Sequence, residues 1–172
     1  MSVDTVLRPL TYADLELVLS WRNSFEVRSC MFSNVEITLE EHLEWFEQSS
    51  NNPNTHLMVI ERDRRASGCV NITQVSDGKI SDWSFHTAPG SEKGTGYLLC
   101  KLAMNYAFGI LGMRKLNAQV LGFNEKSIAI HEKLGFRQEG LLRDNFYRDG
   151  KYIDVLLFGM TESDWRARHE HL

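Results

Sequence analysis

The chain has 172 residues, a formal net charge of −4, 42% hydrophobic residues and 24% charged residues. That is one ordinary domain with room for a single sizeable core, and its acidic balance excludes a general nucleic-acid binder. Cys30, Cys69 and Cys100 form no CxxC pair, so a disulfide framework or zinc ribbon is excluded and buried thiols in a reducing compartment are expected. The start MSVDTVLRPL has no apolar signal core, and no apolar run is long enough to cross a bilayer, so the expected place is the cytoplasm with no membrane partner.

In chain order, Val6 to Arg8 reads as a first strand. Thr11 with Asp14 marks a helix start, and Leu15, Val18 and Leu19 carry the helix from Tyr12 to Asn23. Thr38 with Glu41 is a capping box ahead of Leu39, His42, Leu43 and Phe46 at helical spacing. From Leu57 the period changes. LMVIE and the run Gly68 to Val75 read as strands, and Asp77-Gly78 as a hairpin turn into a strand Lys79 to Thr87. Leu98, Leu99, Leu102, Ala103, Tyr106, Ala107 and Ile110 predict a long helix stopped at Gly112. Lys115 to Leu121 reads as a strand, and Glu125 to Leu134 as a helix ended by Gly135 with Phe136 just beyond. Two strands flank Asp149-Gly150, and a short last helix starts near Thr161. With no linker or internal repeat, one domain is expected, its core running from about residue 6 to 164. The order predicts an α/β (α+β) fold: a mostly antiparallel sheet under packed helices, with one parallel pairing where the long helix returns the chain to the sheet.

The stretch SEKGTGY, Ser91 to Tyr97, places Gly94, Thr95 and Gly96 at the start of the long helix, behind Lys93. Helix N-termini leave backbone N–H groups unpaired, and glycine lets them approach an anion, so the turn is a candidate phosphate cradle. A strand-to-helix turn using glycine for shape alone is the alternative. The third glycine of GxGxxG and the Gly-Lys-Ser/Thr of a Walker loop are both missing, which excludes the usual dinucleotide and nucleoside-triphosphate motifs.

This loop, the strand that follows its helix, and the segment NEKSIAIHEKLGF from Asn124 to Phe136 together resemble the GNAT superfamily of N-acetyltransferases over essentially the whole chain. The resemblance implies a mostly antiparallel seven-stranded sheet with helices on both faces and a splayed central strand pair. It implies acetyl-CoA as cosubstrate, with its pyrophosphate on the amides of Gly94, Thr95, Gly96 and Tyr97. Its pantetheine arm would lie along Ser84, Phe85 and Thr87, with Asn124 and Ser127 as further contacts. Two positions depart from the family. Ser91 stands where the loop usually begins with Arg or Gln, so Lys93 is expected to carry the charge. His131 stands where a tyrosine often protonates the departing thiolate.

Acetyl transfer to an amine needs a neutral amine, stabilisation of an oxyanion and a proton for the thiolate; no metal and no covalent enzyme intermediate are expected. His131 is the candidate acid, since an imidazolium donates near neutral pH; packing between Ile128 and Leu134 is the alternative. His86 is the candidate base, directly or through water, or else an ordinary strand residue facing solvent.

Acceptor specificity is expected in the N-terminal helices and the strands that face them. Trp21, Arg22, Arg28, Met31, His42 and Trp45 combine arginines that grip phosphate with aromatic faces that stack a base. Amphipathic packing with snorkelling arginines explains the same residues. W-R-N, V-R-x-x-M, H-x-x-W-F and the late Y-R-D-G-K-Y-I-D-V-L-L-F-G-M resemble the acetyltransferase family of pseudaminic acid biosynthesis. Members of that family acetylate the 4-amino group of UDP-4-amino-4,6-dideoxy-N-acetyl-β-L-altrosamine. The resemblance implies a UDP-amino-sugar partner, with Arg22 and His42 at the nucleotide, Thr73 at the substrate, and Arg28 and Trp83 as further contacts. A protein N-terminus, a polyamine, an aminoglycoside, or a non-catalytic acetyl-CoA sensor stay open as other readings. A strand near the C-terminus can pair across a homodimer, though no pattern requires it.

Overall fold

The turn chemistry is borne out most directly at Asp149-Gly150, where φ values of 52° and 78° give the two-residue hairpin turn that the dipeptide favours. A computed structural model describes residues 4–169. Its strands are β1 (Thr5–Pro9), β2 (Thr55–Arg62), β3 (Arg65–Ser76), β4 (Ile80–Thr87), β5 (Lys115–Leu121), β6 (Arg137–Arg148) and β7 (Lys151–Thr161). They form one seven-stranded sheet of order β1-β2-β3-β4-β5-β7-β6. The expected parallel pairing is β4 with β5, and it covers only Ile80–Asp82 against Lys115–Asn117. The helices are α1 (Leu15–Asn23), α2 (Phe25–Arg28), α3 (Leu39–Ser50), α4 (Thr95–Met104), α5 (Glu125–Leu134) and α6 (Glu162–His169).

Several boundaries differ from the sequence reading for local reasons. The expected helix from Tyr12 opens as a single tight turn, Tyr12–Asp14, before α1 proper. The turn at Asp77-Gly78 places its positive φ, 59°, on Lys79, so β4 begins at Ile80. The hairpin between β2 and β3 turns on Asp63 and Arg64, both at positive φ without a glycine to signal it. Four-residue α2 is too short for periodicity to reveal; Ser24 caps it, its Oγ accepting from the Val27 N–H at 3.3 Å. The helix expected to run to Ile110 widens after Met104 into a π-helical segment, Asn105–Ile110, before Gly112 ends it at φ 65°.

Over the described residues the chain gathers into two compact units: 4–73 with Ser84–Ala103, and Gln74–Trp83 with 104–169. In the first unit, Leu10, Leu15, Val18, Trp21, Phe46, Leu57 and Val59 form a core cluster. The entry to α1 is fixed by Asp14, which is only 7% exposed. Its carboxylate takes both ends of the Arg8 guanidinium at 2.8 Å and the Thr11 N–H at 2.9 Å. α3 opens on the predicted capping box, with the Thr38 N–H donating to Glu41 at 2.6 Å and the Glu41 N–H donating to Thr38 Oγ1 at 3.2 Å.

In the second unit, β5 pairs along its whole length with β7, burying Leu116, Val120, Phe158 and Met160. α5 starts on Asn124, whose Oδ1 accepts from the Ser127 N–H at 3.2 Å. It ends in a Schellman motif: Gly135 sits at φ 92°, and the Phe136 N–H donates to the His131 carbonyl at 2.9 Å.

Asp14 carries a pH signature. Its hydrogen bonds to Arg8 lead the effects that hold its carboxyl down at about 2. A depressed carboxylate stabilises the fold above its ordinary pKa and loses that contribution as pH falls towards the folded value. Asp14→Asn should therefore lower the unfolding free energy at neutral pH by on the order of 2 kcal/mol, with the gap to wild type closing between about pH 4 and pH 2. Denaturant unfolding across that range measures it, and a gap that does not shrink contradicts the assignment.

Candidate functional site

In the first unit a cavity of about 260 Å³ is built by simple periodicities. α1 contributes Val18 and Arg22 four residues apart, and α3 contributes His42 and Trp45 three apart, so each pair shares a helix face. β3 contributes Cys69 and Asn71, and β4 contributes Ser84 and His86, each pair on one side of its strand. Leu10, Met31, Ile37 and Leu57 supply apolar walls. Arg22, His42, Ser84 and His86, four of the residues singled out from sequence, are thereby brought together.

The electrostatics of this cavity are unusual. The Arg22 guanidinium donates to the carbonyls of Ser33 at 3.1 Å and Val35 at 3.0 Å, tying down the segment between α2 and α3. Burial first, and then the nearby Arg28 charge, lower its pKa. His42 is 4% exposed, stacks on Trp45 at 5.1 Å, and has a buried Nε2 with no hydrogen-bond partner. Its pKa is lowered by burial and then by Arg22. His86 is pushed down to about 4 by burial, then by Arg22 and His42. Its Nε2 lies 3.3 Å from Cys69 Sγ, and burial pushes that thiol up to about 12. The pair is thus a neutral thiol against a neutral imidazole, not a thiolate–imidazolium nucleophile. Among the described residues lining the cavity, none is Asp or Glu. Glu40, Glu41, Glu44 and Glu47 lie on the exposed side of α3.

Other expectations are corrected. Arg28 does not line this cavity: its guanidinium donates to Asn23 at 3.2 Å and Asn34 at 3.0 Å and pairs with Glu36 at 3.5 Å, bracing the same segment. Thr73 stands one step back, donating to Asn71 Oδ1 at 3.1 Å; Asn71 reaches the cavity. Trp83 alternates with Ser84 along β4, so it leaves on the other side of the strand. It is buried in the second unit, where its ring stacks on Phe136 at 5.1 Å.

His131, the expected acid, is buried in the second unit at 2% exposure. Its Nε2 accepts from the Trp83 indole N–H at 3.2 Å, and its Nδ1 lies 2.8 Å from the Ser127 carbonyl, to which it donates. Both nitrogens are engaged and burial lowers the pKa, so the ring is neutral with no proton on Nε2 to give. An indole N–H requires a lone pair opposite, which an imidazolium lacks. The acid assignment is therefore corrected to a packing role that anchors Trp83. In the same unit Asn124 and Ser127 serve the α5 cap.

The glycine loop sits in the first unit. Gly94 takes φ 95°, and a Cβ built there would meet nothing within 4 Å, so the backbone face is open to a ligand. At the start of α4, where the Thr95 N–H donates to the Glu92 carbonyl at 3.1 Å, the open glycine backbone and the positive end of the helix dipole suit a diphosphate. Gly96 and Tyr97 begin that first turn, and Thr95 is 2% exposed. Ser84, Phe85 and Thr87 lie in the part of β4 beyond its three paired residues with β5. Lys93 is exposed; the cation placed against the loop is Arg62, whose Nη1 donates to Thr95 Oγ1 at 2.9 Å. Arg62 was not singled out from sequence, because ERDRR reads as an ordinary charged turn. Cys69 and Asn71 were also missed, although alternation within the predicted strand puts them on the face of Thr73.

A family model described as an acetyltransferase (GNAT) domain matches residues 4–137. Spermidine N(1)-acetyltransferase of Escherichia coli (strain K12) is 28% identical over 166 residues, covering 95% of this chain and 89% of the relative. Acetyltransferase PseH of Campylobacter jejuni is 24% identical over 127 residues, covering 74% of this chain and 79% of the relative. The crystal structure of spermidine N-acetyltransferase from Vibrio cholerae with CoA and spermine superposes with a TM-score of 0.88 at 24% identity, covering 94% of this chain and 98% of that one. The expected seven-stranded fold is therefore shared with a CoA complex.

His131→Phe should keep turnover within about threefold while costing about 1–3 kcal/mol, because it removes the buried hydrogen bond that His131 accepts from the Trp83 N–H. Thermal unfolding and steady-state kinetics measure the two effects. A tenfold fall in kcat at unchanged melting temperature would restore His131 as the acid.

Proposed function

The chain belongs to the GNAT acetyltransferase family and transfers acetyl from acetyl-CoA to an amine, and from that premise we propose that its acceptor is a UDP-amino-sugar. We take the whole chain to act as one acetyltransferase domain in the cytoplasm, with UDP-4-amino-4,6-dideoxy-N-acetyl-β-L-altrosamine as the specific acceptor. The single observation that supports this acceptor is the electrostatics of the first unit's cavity: a half-buried Arg22, two histidines depressed towards neutrality and no lining carboxylate among the described residues. A nucleotide diphosphate beside Arg22 would complete a charge that the lining leaves uncompensated. The unpartnered Nε2 of His42 supplies a hydrogen-bonding atom for the same ligand, beside the stacking face of Trp45. The apolar walls from Leu10, Met31 and Ile37 suit the methyl and ring carbons of a deoxysugar.

The cosubstrate would be held at the glycine loop, Gly94 to Tyr97, and by the edge of Ser84, Phe85 and Thr87. Bound there, it supplies the acetyl thioester. The transfer is direct, in a ternary complex. His86, neutral above about pH 4, accepts a hydrogen bond from the attacking amine and so orients it. With so low a pKa it is a poor proton sink at neutral pH, so the amine must arrive unprotonated, and the proton that its nitrogen loses on acylation passes to the departing thiolate to give free coenzyme A.

A second reading is favoured by similarity. The Escherichia coli relative is a spermidine N(1)-acetyltransferase, and it matches over 95% of this chain. A polyamine is a polycation, however, and would meet the half-buried Arg22 with no carboxylate opposite it among the described lining residues. For assembly, we propose a homodimer through β6, an edge strand with Leu141, Leu142 and Tyr147 exposed.

Arg22→Ala should raise the KM for the UDP-amino-sugar at least tenfold and leave the KM for acetyl-CoA within about twofold. Initial rates from released thiol, with each substrate varied in turn, measure both. Equal weakening of the two would mean that Arg22 serves only to hold Ser33 and Val35 in place.

A further inference from the structure

The hairpin between β2 and β3 contains two costly features in one place. Arg62 and Arg65 are directly opposed across the ladder, a like-charge pair that destabilises a hairpin. The two residues between them, Asp63 and Arg64, hold φ values of 46° and 64°, a conformation that favours glycine or asparagine. Both arginines line a second cavity of the first unit, about 380 Å³, together with Ser67, Ser91 and Thr95. Arg62 is the best buried cation there, with its side chain 20% exposed. Its Nη1 donates to Thr95, its Nη2 pairs with Glu92 at 2.9 Å, and its Nε is buried with no hydrogen-bond partner. Two acids also line the cavity. Asp63 is turned to the strand β1 side, where it accepts from the Asp4 N–H at 3.2 Å. The Glu92 side chain is 80% exposed, so solvent competes for it and its hold on Arg62 is weak.

We propose that this cavity binds the 3′-phosphate of the coenzyme A cosubstrate, with Arg62 and Arg65 as its cationic walls and Glu92 as the carboxylate that the phosphate displaces. A phosphate monoester carries close to two negative charges near neutral pH and offers three acceptor oxygens. Two arginines match that demand, with the Ser67 and Ser91 hydroxyls engaged by the Arg65 and Ala88 carbonyls, whereas the diphosphate, a diester, is served by the glycine loop. The arginine pair thereby provides the charge that Ser91 lacks. Its like-charge cost is removed when the dianion binds between the two guanidinium groups. This inference rests on the acetyl-CoA dependence and is independent of the acceptor.

The test compares binding of acetyl-CoA and acetyl-3′-dephospho-CoA by titration calorimetry to the intact chain. Wild type should prefer acetyl-CoA at least tenfold. Arg62→Ala and Arg65→Ala should each weaken acetyl-CoA and leave dephospho-CoA binding within about twofold, so that the preference shrinks. Glu92→Gln should strengthen acetyl-CoA several-fold, an effect that no folding defect produces. A wild type that binds both ligands alike, or an Arg62→Ala protein that keeps the full preference or weakens both equally, overturns the proposal. A wild type that binds neither overturns the acetyl-CoA premise instead, and the proposal with it.

Discussion

A guanidinium held among apolar side chains, with neutral carbonyls as its hydrogen-bond partners, sets the conditions for the cavity of the first unit. Arg22 projects from α1 beside Val18, and the carbonyls of Ser33 and Val35 fix its two terminal nitrogens. Those bonds order the segment between α2 and α3, which in turn brings Met31 and Ile37 to the cavity wall. The retained positive charge depresses both His42 and His86 beyond what burial alone does. A single cation thus shapes the wall, adds to the burial that keeps both imidazoles neutral, and leaves a cavity with no lining carboxylate among the described residues to balance it.

Strand alternation sorts the remaining chemistry. On β4, Ser84 and His86 share the side that lines the first unit's cavity, while Trp83 is buried in the second unit. His131 follows from that anchoring. Its Nε2 is the acceptor for Trp83, its ring stacks on Phe158 at 5.3 Å, and its other nitrogen holds the Ser127 carbonyl at 2.8 Å. A histidine in a position that often carries a catalytic tyrosine is here consumed by packing.

Much of the fold was legible because its signals are local. β5 and α5 have the bounds read from sequence, since Asn124 and Gly135 are cap residues with a physical reason at each end. The hairpin at Asp149-Gly150 was legible for the same reason. The non-glycine turn at Asp63-Arg64 and the one-turn α2 were not, because neither has a glycine or a period to mark it. In the first unit's cavity, Arg22, His42 and His86 were legible as residue types out of place on amphipathic elements. Asn71 and Cys69 required the strand face to be followed residue by residue. Arg28 and Trp83 were over-read: both are chemically suited to a ligand, and both are already satisfied by protein partners. The charge at the glycine loop came from Arg62, 33 residues before Thr95, a separation no local motif encodes.

The shared ancestry with spermidine acetyltransferases and the cation in the cavity point to acceptors of opposite charge. The family relationship accounts for the fold and the acetyl donor, while acceptor choice rests on a few side chains that can change without disturbing either. The most direct test is the ratio of kcat/KM for the UDP-amino-sugar to that for spermidine, measured on the wild-type protein with saturating acetyl-CoA. A ratio of at least a hundred in favour of the UDP-amino-sugar is expected; a ratio below one would contradict the cavity's electrostatics as the determinant of the acceptor.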